Sequence, residues 1–286
     1  MNPSRKEGGL DPSHNPGYLR HEALGHLAKF AVPLKSRIDK RLKIGVGDRV
    51  LDLGCGTGLD ALLLARVVGD GGIVIGIDYD EELVAGARLR ATNTEESGRV
   101  GYLRADAGSL PFADGAFDAC RCERLFQHCP DGARILSEMV RVTKNGGRIV
   151  VADTDWGTLS IDTPHVEIER RVVRSLAGVF LDGYAGRKLF GRMKEQRLEK
   201  IAIDVWTVIW KDFHEFRTTS LAVEDIERKI VNQGRVSASE LNLFWESLER
   251  AHQRGAFFAS GSVVIVVGSK PAARNRKSPA ARGARE

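Results

Sequence analysis

The run Val50-Leu51-Asp52-Leu53-Gly54-Cys55-Gly56-Thr57-Gly58 constrains this chain more than any other stretch. An apolar strand passes through a carboxylate straight into a turn with glycines at 54, 56 and 58. Glycine allows positive φ there and puts no Cβ between backbone and ligand. Leu59, Leu62, Leu63, Leu64 and Val67 then open a helix that can pack on a sheet. A strand, a glycine turn and a helix in that order predict an α/β fold with a nucleotide-like ligand at the turn.

Details of the turn narrow the ligand. A dinucleotide site has G-x-G-x-x-G, with the pyrophosphate on the helix N-terminus. Here the spacing is G-x-G-x-G, Gly58 falls one place early, and position 59 is Leu. Asp52, two residues before the first glycine, would repel a pyrophosphate and pair with an ammonium group. No Gly-Lys-Ser/Thr follows, which excludes a phosphate-binding loop. The turn suits an adenosine with a zwitterionic tail, S-adenosyl-L-methionine.

The segments that follow fit the same ligand. Gly72 to Asp78 reads as a second strand ending in a carboxylate placed for two ribose hydroxyls, unless Asp78 caps the next helix, a role open to Asp80 as well. Tyr79 could stack beside the adenine or sit at the rim. Val100 to Arg104 is a third strand, after which Asp106 and the backbone of Ala107 could meet the adenine. Ala116 to Cys122 is a fourth strand, bringing Arg121, Cys122 and Glu123 to its end. Ligands in open α/β sheets lie outside the carboxyl ends of the strands, so the four segments converge on one crevice.

From Arg49 to Asp153 the chain resembles the class I S-adenosylmethionine-dependent methyltransferases, and within them the quinone-biosynthesis-like small-molecule enzymes. The resemblance rests on the glycine turn, Gly76-Ile77-Asp78, Ala105-Asp106-Ala107 with Leu110-Pro111-Phe112, Phe117-Asp118, Leu125-Phe126-Gln127-His128, and Glu138-Met139-Val140-Arg141-Val142 before Lys144-Asn145-Gly146-Gly147. It implies a Rossmann-like seven-stranded sheet with helices on both faces, the last strand antiparallel, and a helical cap. It places Asp52 and Gly54 near the methionine part, Asp78 on the ribose, Asp106 and Ala107 around the adenine, and Gln127 between cofactor and substrate, and Cys55, Gly56 and Cys122 are counted among the cofactor contacts. Asn145 departs from the proline usual in the family.

A length of 286 residues with 42% hydrophobic content suits one α/β domain with an added cap. Residues 1–17 are expected to be flexible, 18–269 to form the domain, and 270–286 to be a disordered basic tail. Within the domain, 18–44 is expected to be a helical cap in which Tyr18 could touch the methionine carboxylate, and about 158–185 a lid insertion. The net charge of +5 is that of the tail, so the rest is formally neutral and nucleic acid is a disfavoured partner. No apolar run reaches 18 residues and no signal peptide is evident, so a cytoplasmic location without a membrane span is expected. Cys55, Cys120, Cys122 and Cys129 are read as reduced thiols, and no metal is expected. A homodimer is compatible with the sequence.

Further along, Arg148 to Asp153 is expected as the fifth strand, with Asp153 to Thr158 leaving the sheet at the crevice. His128 and His165 are the candidate bases. Trp156, Phe180, Tyr184 and Arg187 are the candidate substrate contacts, each with an ordinary packing or ion-pair alternative. Trp206 and Trp210 are read mostly as sheet packing. The function expected is methylation at O, N or C of a small hydrophobic or aromatic metabolite. A cyclase of the same fold acting on a natural-product intermediate and a nucleic-acid methyltransferase are the alternatives.

Overall fold

The computed structural model describes residues 32–220 and 226–272. Tyr18, most of the expected N-terminal cap and nearly all of the basic tail lie outside the described residues. The chain begins with α1 (Val32–Leu42), β1 (Arg49–Leu53), α2 (Leu59–Val68), β2 (Ile73–Asp78), α3 (Glu81–Ala91), β3 (Val100–Arg104) and β4 (Phe117–Glu123). A short 3-10 turn, Phe126–His128, leads to α4 (Gly132–Val142), β5 (Thr143–Ile161), α5 (Val166–Ala177) and α6 (Ala185–Glu195). The rest is β6 (Glu199–Trp210), α7 (Phe213–Ser220), α8 (Ile226–Asn232), α9 (Ala238–Gln253) and β7 (Ala259–Ser269).

The strands form one sheet in the order β3-β2-β1-β4-β5-β7-β6. β1 to β5 run parallel, and β7 pairs antiparallel with both β5 and β6. Chain order reverses between β1 and β4, which opens a crevice at their carboxyl ends. The glycine turn leaves β1 at that point. Parallel strands covered on both faces read as nearly continuous apolar runs, and β1 is buried from Val50 to Leu53 for this reason.

Helices α1, α2 and α3 cover one face over a core that includes Ile38, Leu64, Val84 and Ile265. Ile38 and Leu42 are fully buried and fasten α1, each side chain contributing roughly 2 kcal/mol. Pro33 sits in the first turn of α1, where its missing N–H has no intrahelical acceptor. Helices α4 and α6 cover the other face over Leu53, Phe117, Leu136, Ile149 and Leu189. A further core joins α5, α7, α8 and α9 to Leu159, Ile161, Trp210 and Ala259, on the far ends of β5, β6 and β7.

β5 corrects the expectation that the chain leaves the sheet at Asp153. It pairs with β7 through Asp155↔Ser262 and, after a shift in register, Ser160↔Ser260 and Ile161↔Ala259. Antiparallel pairing with β7 carries the strand beyond the crevice, and Trp156 lies in the irregular stretch between the two paired segments, its N–H on the Gly183 carbonyl at 2.9 Å. α7, at Phe213–Ser220, is a helix the sequence reading did not contain.

Candidate functional site

The glycine turn satisfies its own donors. The N–H groups of Gly54 and Cys55 both bond the Ile77 carbonyl, at 2.8 and 2.9 Å, and that of Gly58 bonds Cys55. Gly56 donates to Asp78 Oδ2 at 2.9 Å. A pyrophosphate needs such N–H groups aimed outward, and here they are spent inside the fold. Gly58 and Gly56 serve different ends. At Gly58 (φ 75°) a Cβ would lie 2.6 Å from the Tyr102 ring and 2.7 Å from Ala87, and the Tyr102 hydroxyl bonds the Gly58 carbonyl at 2.7 Å. At Gly56 (φ 51°) a Cβ would meet nothing within 4 Å, so the turn lies open where a ligand would rest on it.

Asp78 ends β2 and accepts from Gly56 and from the N–H of Asp80, the latter at 3.1 Å. Burial raises its carboxyl above the ordinary range against the pull of these bonds. Asp80 is the cap of α3, accepting from Glu82 and Leu83, so Asp78 is left facing the crevice. Tyr79 lies at the rim, its ring 5.5 Å from the Arg104 guanidinium. Asp106 is exposed and closes a turn by accepting from Gly108 at 2.8 Å, with Ala107 half-buried beside it.

A buried charge cluster lies beneath the turn. Arg121 on β4 is 1% exposed and stands in register with Asp52 on β1. Its guanidinium is 3.6 Å from Asp39, 3.5 Å from Asp52, 3.4 Å from Asp60 and 2.8 Å from Glu123. Lys35 of α1 reaches Asp60 at 2.6 Å, and Arg124 lies 3.4 Å from Glu123. Burial pushes Asp52 up to about 6, and Asp52 Oδ2 has no hydrogen-bond partner among the described residues. Burial opposes ionisation of Asp60 too, but Arg121 and Lys35 hold it below the ordinary range. Four carboxylates thus face three cations, and Asp39 Oδ1, Asp52 Oδ2 and Glu123 Oε1 are all buried without a hydrogen-bond partner among the described residues, Asp52 being the acid next to the glycine turn. An ammonium group is the ligand chemistry this arrangement lacks.

Beside the cluster is a cavity of ≈ 90 Å³. Trp156 and Phe180 wall one part of it, stacked at 4.7 Å and 11°. Trp206, Val208 and Trp210 of β6 wall another, with Leu159, Gly261 and Val263 between. Arg124, Gln127, Thr154, Asp155, Thr219, Ser220 and Ser262 supply its polar lining. Gln127 is held from two sides. Trp156 Nε1–H donates to its Oε1 at 2.7 Å, and its Nε2 lies 3.1 Å from His128 Nε2. Asp153, fully buried at the end of the parallel part of β5, accepts from Phe126 and Gln127 and so pins the turn that carries them.

The structure gathers Asp52, Gly54, Gly56, Asp78 and Gln127 around one crevice and Trp156 and Phe180 around the adjoining cavity. It sets other expected residues apart. The Cys122 side chain is fully buried in the core under α4 and α6, and Cys55 packs in the core under α2. His128 does not line the cavity, and burial pushes its imidazole down to about 4. His165 precedes α5 with its backbone N–H on Thr163, outside the cavity lining. Arg187 is engaged by Asp155 at 2.7 Å and lies over the Tyr184 ring, and neither Arg187 nor Tyr184 lines the cavity. Arg124, Asp155, Thr154 and Ser220 were missed. For Arg124 the signal was its place directly after a strand that ends in the crevice.

Residues 51–151 match a family described as a methyltransferase domain. An uncharacterised 37.1 kDa protein of transposon TN4556 from Streptomyces fradiae is 41% identical over 222 residues, 77% of this chain and 62% of that protein. The 2-phytyl-1,4-naphthoquinone methyltransferase of Synechococcus elongatus is 42% identical over 133 residues, 46% of this chain and 57% of its own. This chain thus spans less than two thirds of the length of these curated relatives. Geranyl diphosphate C-methyltransferase from Streptomyces coelicolor A3(2), solved with Mg2+, geranyl diphosphate and S-adenosyl-L-homocysteine, is similar in fold with a TM-score of 0.57. That likeness covers 91% of this chain and 84% of the other at 19% identity.

Proposed function

We propose that this chain, whose residues 51–151 match a methyltransferase domain, is a class I S-adenosyl-L-methionine-dependent methyltransferase that transfers a methyl group to a small hydrophobic or aromatic metabolite. The observation that carries the reading is the aromatic-walled cavity next to a crevice whose buried carboxylates outnumber their cations.

S-adenosyl-L-methionine, when bound, supplies an activated methyl group, and the protein has to bind, align and exclude water. In this reading Asp52 takes the ammonium, completing a cluster one positive charge short. Asp78 accepts from the ribose hydroxyls while keeping its bonds to Gly56 and Asp80. Asp106 and Ala107 meet the adenine, and Tyr79 lies beside it. Gln127 forms the floor between cofactor and acceptor, fixed by Trp156 and His128.

A base that titrates near 4 is a poor proton acceptor at neutral pH. We therefore assign His128 to holding Gln127. With His128 neutral and Gln127 Nε2 the donor, the imidazole accepts at Nε2 and carries its proton at Nδ1. His165 is left as the residue ahead of α5.

The test is calorimetric titration of the protein with S-adenosyl-L-methionine, S-adenosyl-L-homocysteine and NAD. Micromolar binding of the first two and none of NAD is expected. Aromatic and isoprenoid acceptors are then screened by mass for the gain of one methylene group. Binding of NAD in place of the other two would overturn the assignment.

A further inference from the structure

We propose that Arg124 selects the acceptor, and that the acceptor is an aromatic molecule bearing an anionic oxygen: a phenolate, an enolate or a carboxylate. The inference rests on the methyltransferase reading above.

Arg124 directly follows β4 with a backbone φ of 54°, the left-handed region that non-glycine residues seldom occupy. Its N–H is fixed to the Ala152 carbonyl at 2.8 Å. A strained backbone of this kind persists only where the surroundings hold it, and such positions gather at ligand sites. The side chain lines the cavity.

The guanidinium donates no hydrogen bond among the described residues, and its Nε is buried without an acceptor. The nearest carboxylate, Glu123, is 3.4 Å from Nε and is committed through its other oxygen to Arg121 at 2.8 Å. Asp60, Asp153 and His128 lie close enough to feel its charge. The second charged residue of the lining, Asp155, is neutralised by Arg187 at 2.7 Å. Glu123 is shared between Arg121 and Arg124 and Asp155 is offset by Arg187, so the charge that Arg124 brings to an otherwise aromatic cavity is positive, and arginine cannot release it.

A neutral apolar acceptor would leave these donors unmade, and a cationic one would meet repulsion. An oxyanion makes charge-assisted hydrogen bonds to them while its ring lies against Trp156, Phe180 or Trp206. The same contact keeps the oxygen ionised, so the nucleophile arrives without its proton. No base is then required, in keeping with the neutral His128.

Three naphthyl probes, measured with saturating S-adenosyl-L-homocysteine, test this: 1-hydroxy-2-naphthoate as the anion, 2-naphthol as the neutral form and 2-naphthylmethylamine as the cation. The wild-type protein is expected to bind the anion roughly tenfold or more tighter than the neutral probe, and the cation least. Arg124→Gln should erase that preference, with its affinity for S-adenosyl-L-homocysteine measured alongside. Gly261→Leu is the second variant. A Cβ there stands 3.6 Å from both Leu159 and Trp210, an ordinary contact, so the longer side chain enters the cavity. It should abolish binding of all three probes and leave the cofactor site intact.

An anion bound no better than 2-naphthol, or a preference that survives in Arg124→Gln, overturns the proposal. So does binding of 1-hydroxy-2-naphthoate that is unchanged in Gly261→Leu. If Arg124→Gln loses S-adenosyl-L-homocysteine instead, Arg124 serves the methionine carboxylate and the acceptor role is refuted. Wild-type protein that binds no S-adenosyl-L-homocysteine overturns the methyltransferase reading and this inference with it.

Discussion

Replacing Asp78 by Asn tests the ribose assignment with little disturbance of shape. The carboxylate accepts from Gly56 at 2.9 Å and from Asp80 at 3.1 Å, and an amide oxygen can keep one such bond. What the variant loses is the negative charge and the acceptor capacity that two ribose hydroxyls would use. Hydrogen bonds to a charged group contribute about 1.5–3 kcal/mol, and the acceptor capacity that the amide oxygen retains favours the lower figure. Affinity for S-adenosyl-L-homocysteine should therefore fall roughly tenfold. Isothermal titration near neutral pH reads this directly, with thermal melting run alongside. Asp80→Ala is the matched control. It removes the cap that accepts from Glu82 at 2.8 Å and Leu83 at 3.3 Å, for about 1 kcal/mol of stability. It should lower Tm by about 2 °C and leave affinity alone. The reasoning fails if Asp78→Asn binds within twofold of wild type, or if Asp80→Ala weakens binding as much.

The raised carboxyl of Asp52, near 6 against the ordinary 3.8, makes binding of a cationic group pH-dependent. Affinity for S-adenosyl-L-homocysteine should fall as pH drops through about 6, and Asp52→Asn should flatten that profile. For stability the sign is opposite. The native state keeps a proton that the unfolded chain releases between 3.8 and about 6, so this group penalises folding above 6 and the penalty is relieved as pH falls. Equal melting slopes in wild type and Asp52→Asn would contradict this. Gly58→Ala should destabilise by more than about 2 kcal/mol, because the left-handed backbone and the clash with Tyr102 act together. Gly56→Ala should cost only about 1–2 kcal/mol of stability yet weaken cofactor binding, since its Cβ meets no protein atom. Trp156→Phe keeps the stack on Phe180 but removes the donor to Gln127. It should lower kcat more than acceptor affinity, and an unchanged kcat would show that Gln127 needs no such support.

The glycine turn and strands β1 to β4 were legible because their signals are local. Each acid there follows a short apolar run, and the ends of neighbouring parallel strands meet at one crevice. Asp80 was readable as the cap of α3 for the same reason. The acceptor end was not, because its residues are brought together by pairing distant in sequence. Trp206 stands opposite Val263 and Asp155 opposite Ser262 only once β7 turns back between β5 and β6. Asn145, Gly146 and Gly147 suggested a turn before a short fifth strand, whereas β5 starts at Thr143 and runs to Ile161. The burial of His128, which lowers its imidazole to about 4, could not be read from its place beside the crevice. The charge cluster was half visible. Asp52 was assigned to an ammonium from sequence, but Arg121 and Glu123 were seen only as neighbours, and Asp39 and Asp60 not at all.

The third hydrophobic core rests on the far ends of β5, β6 and β7, beyond the strands that carry the cofactor acids. Changes there can remodel the acceptor cavity while Asp52, Asp78 and Asp106 stay seated on β1, β2 and the turn after β3. A lineage could thus exchange one acceptor for another by drift within α5, α7 and α9, without rebuilding its source of methyl groups. Diversity among relatives should concentrate in that half, and hybrids joined within β5 should inherit their cofactor from one parent and their acceptor from the other.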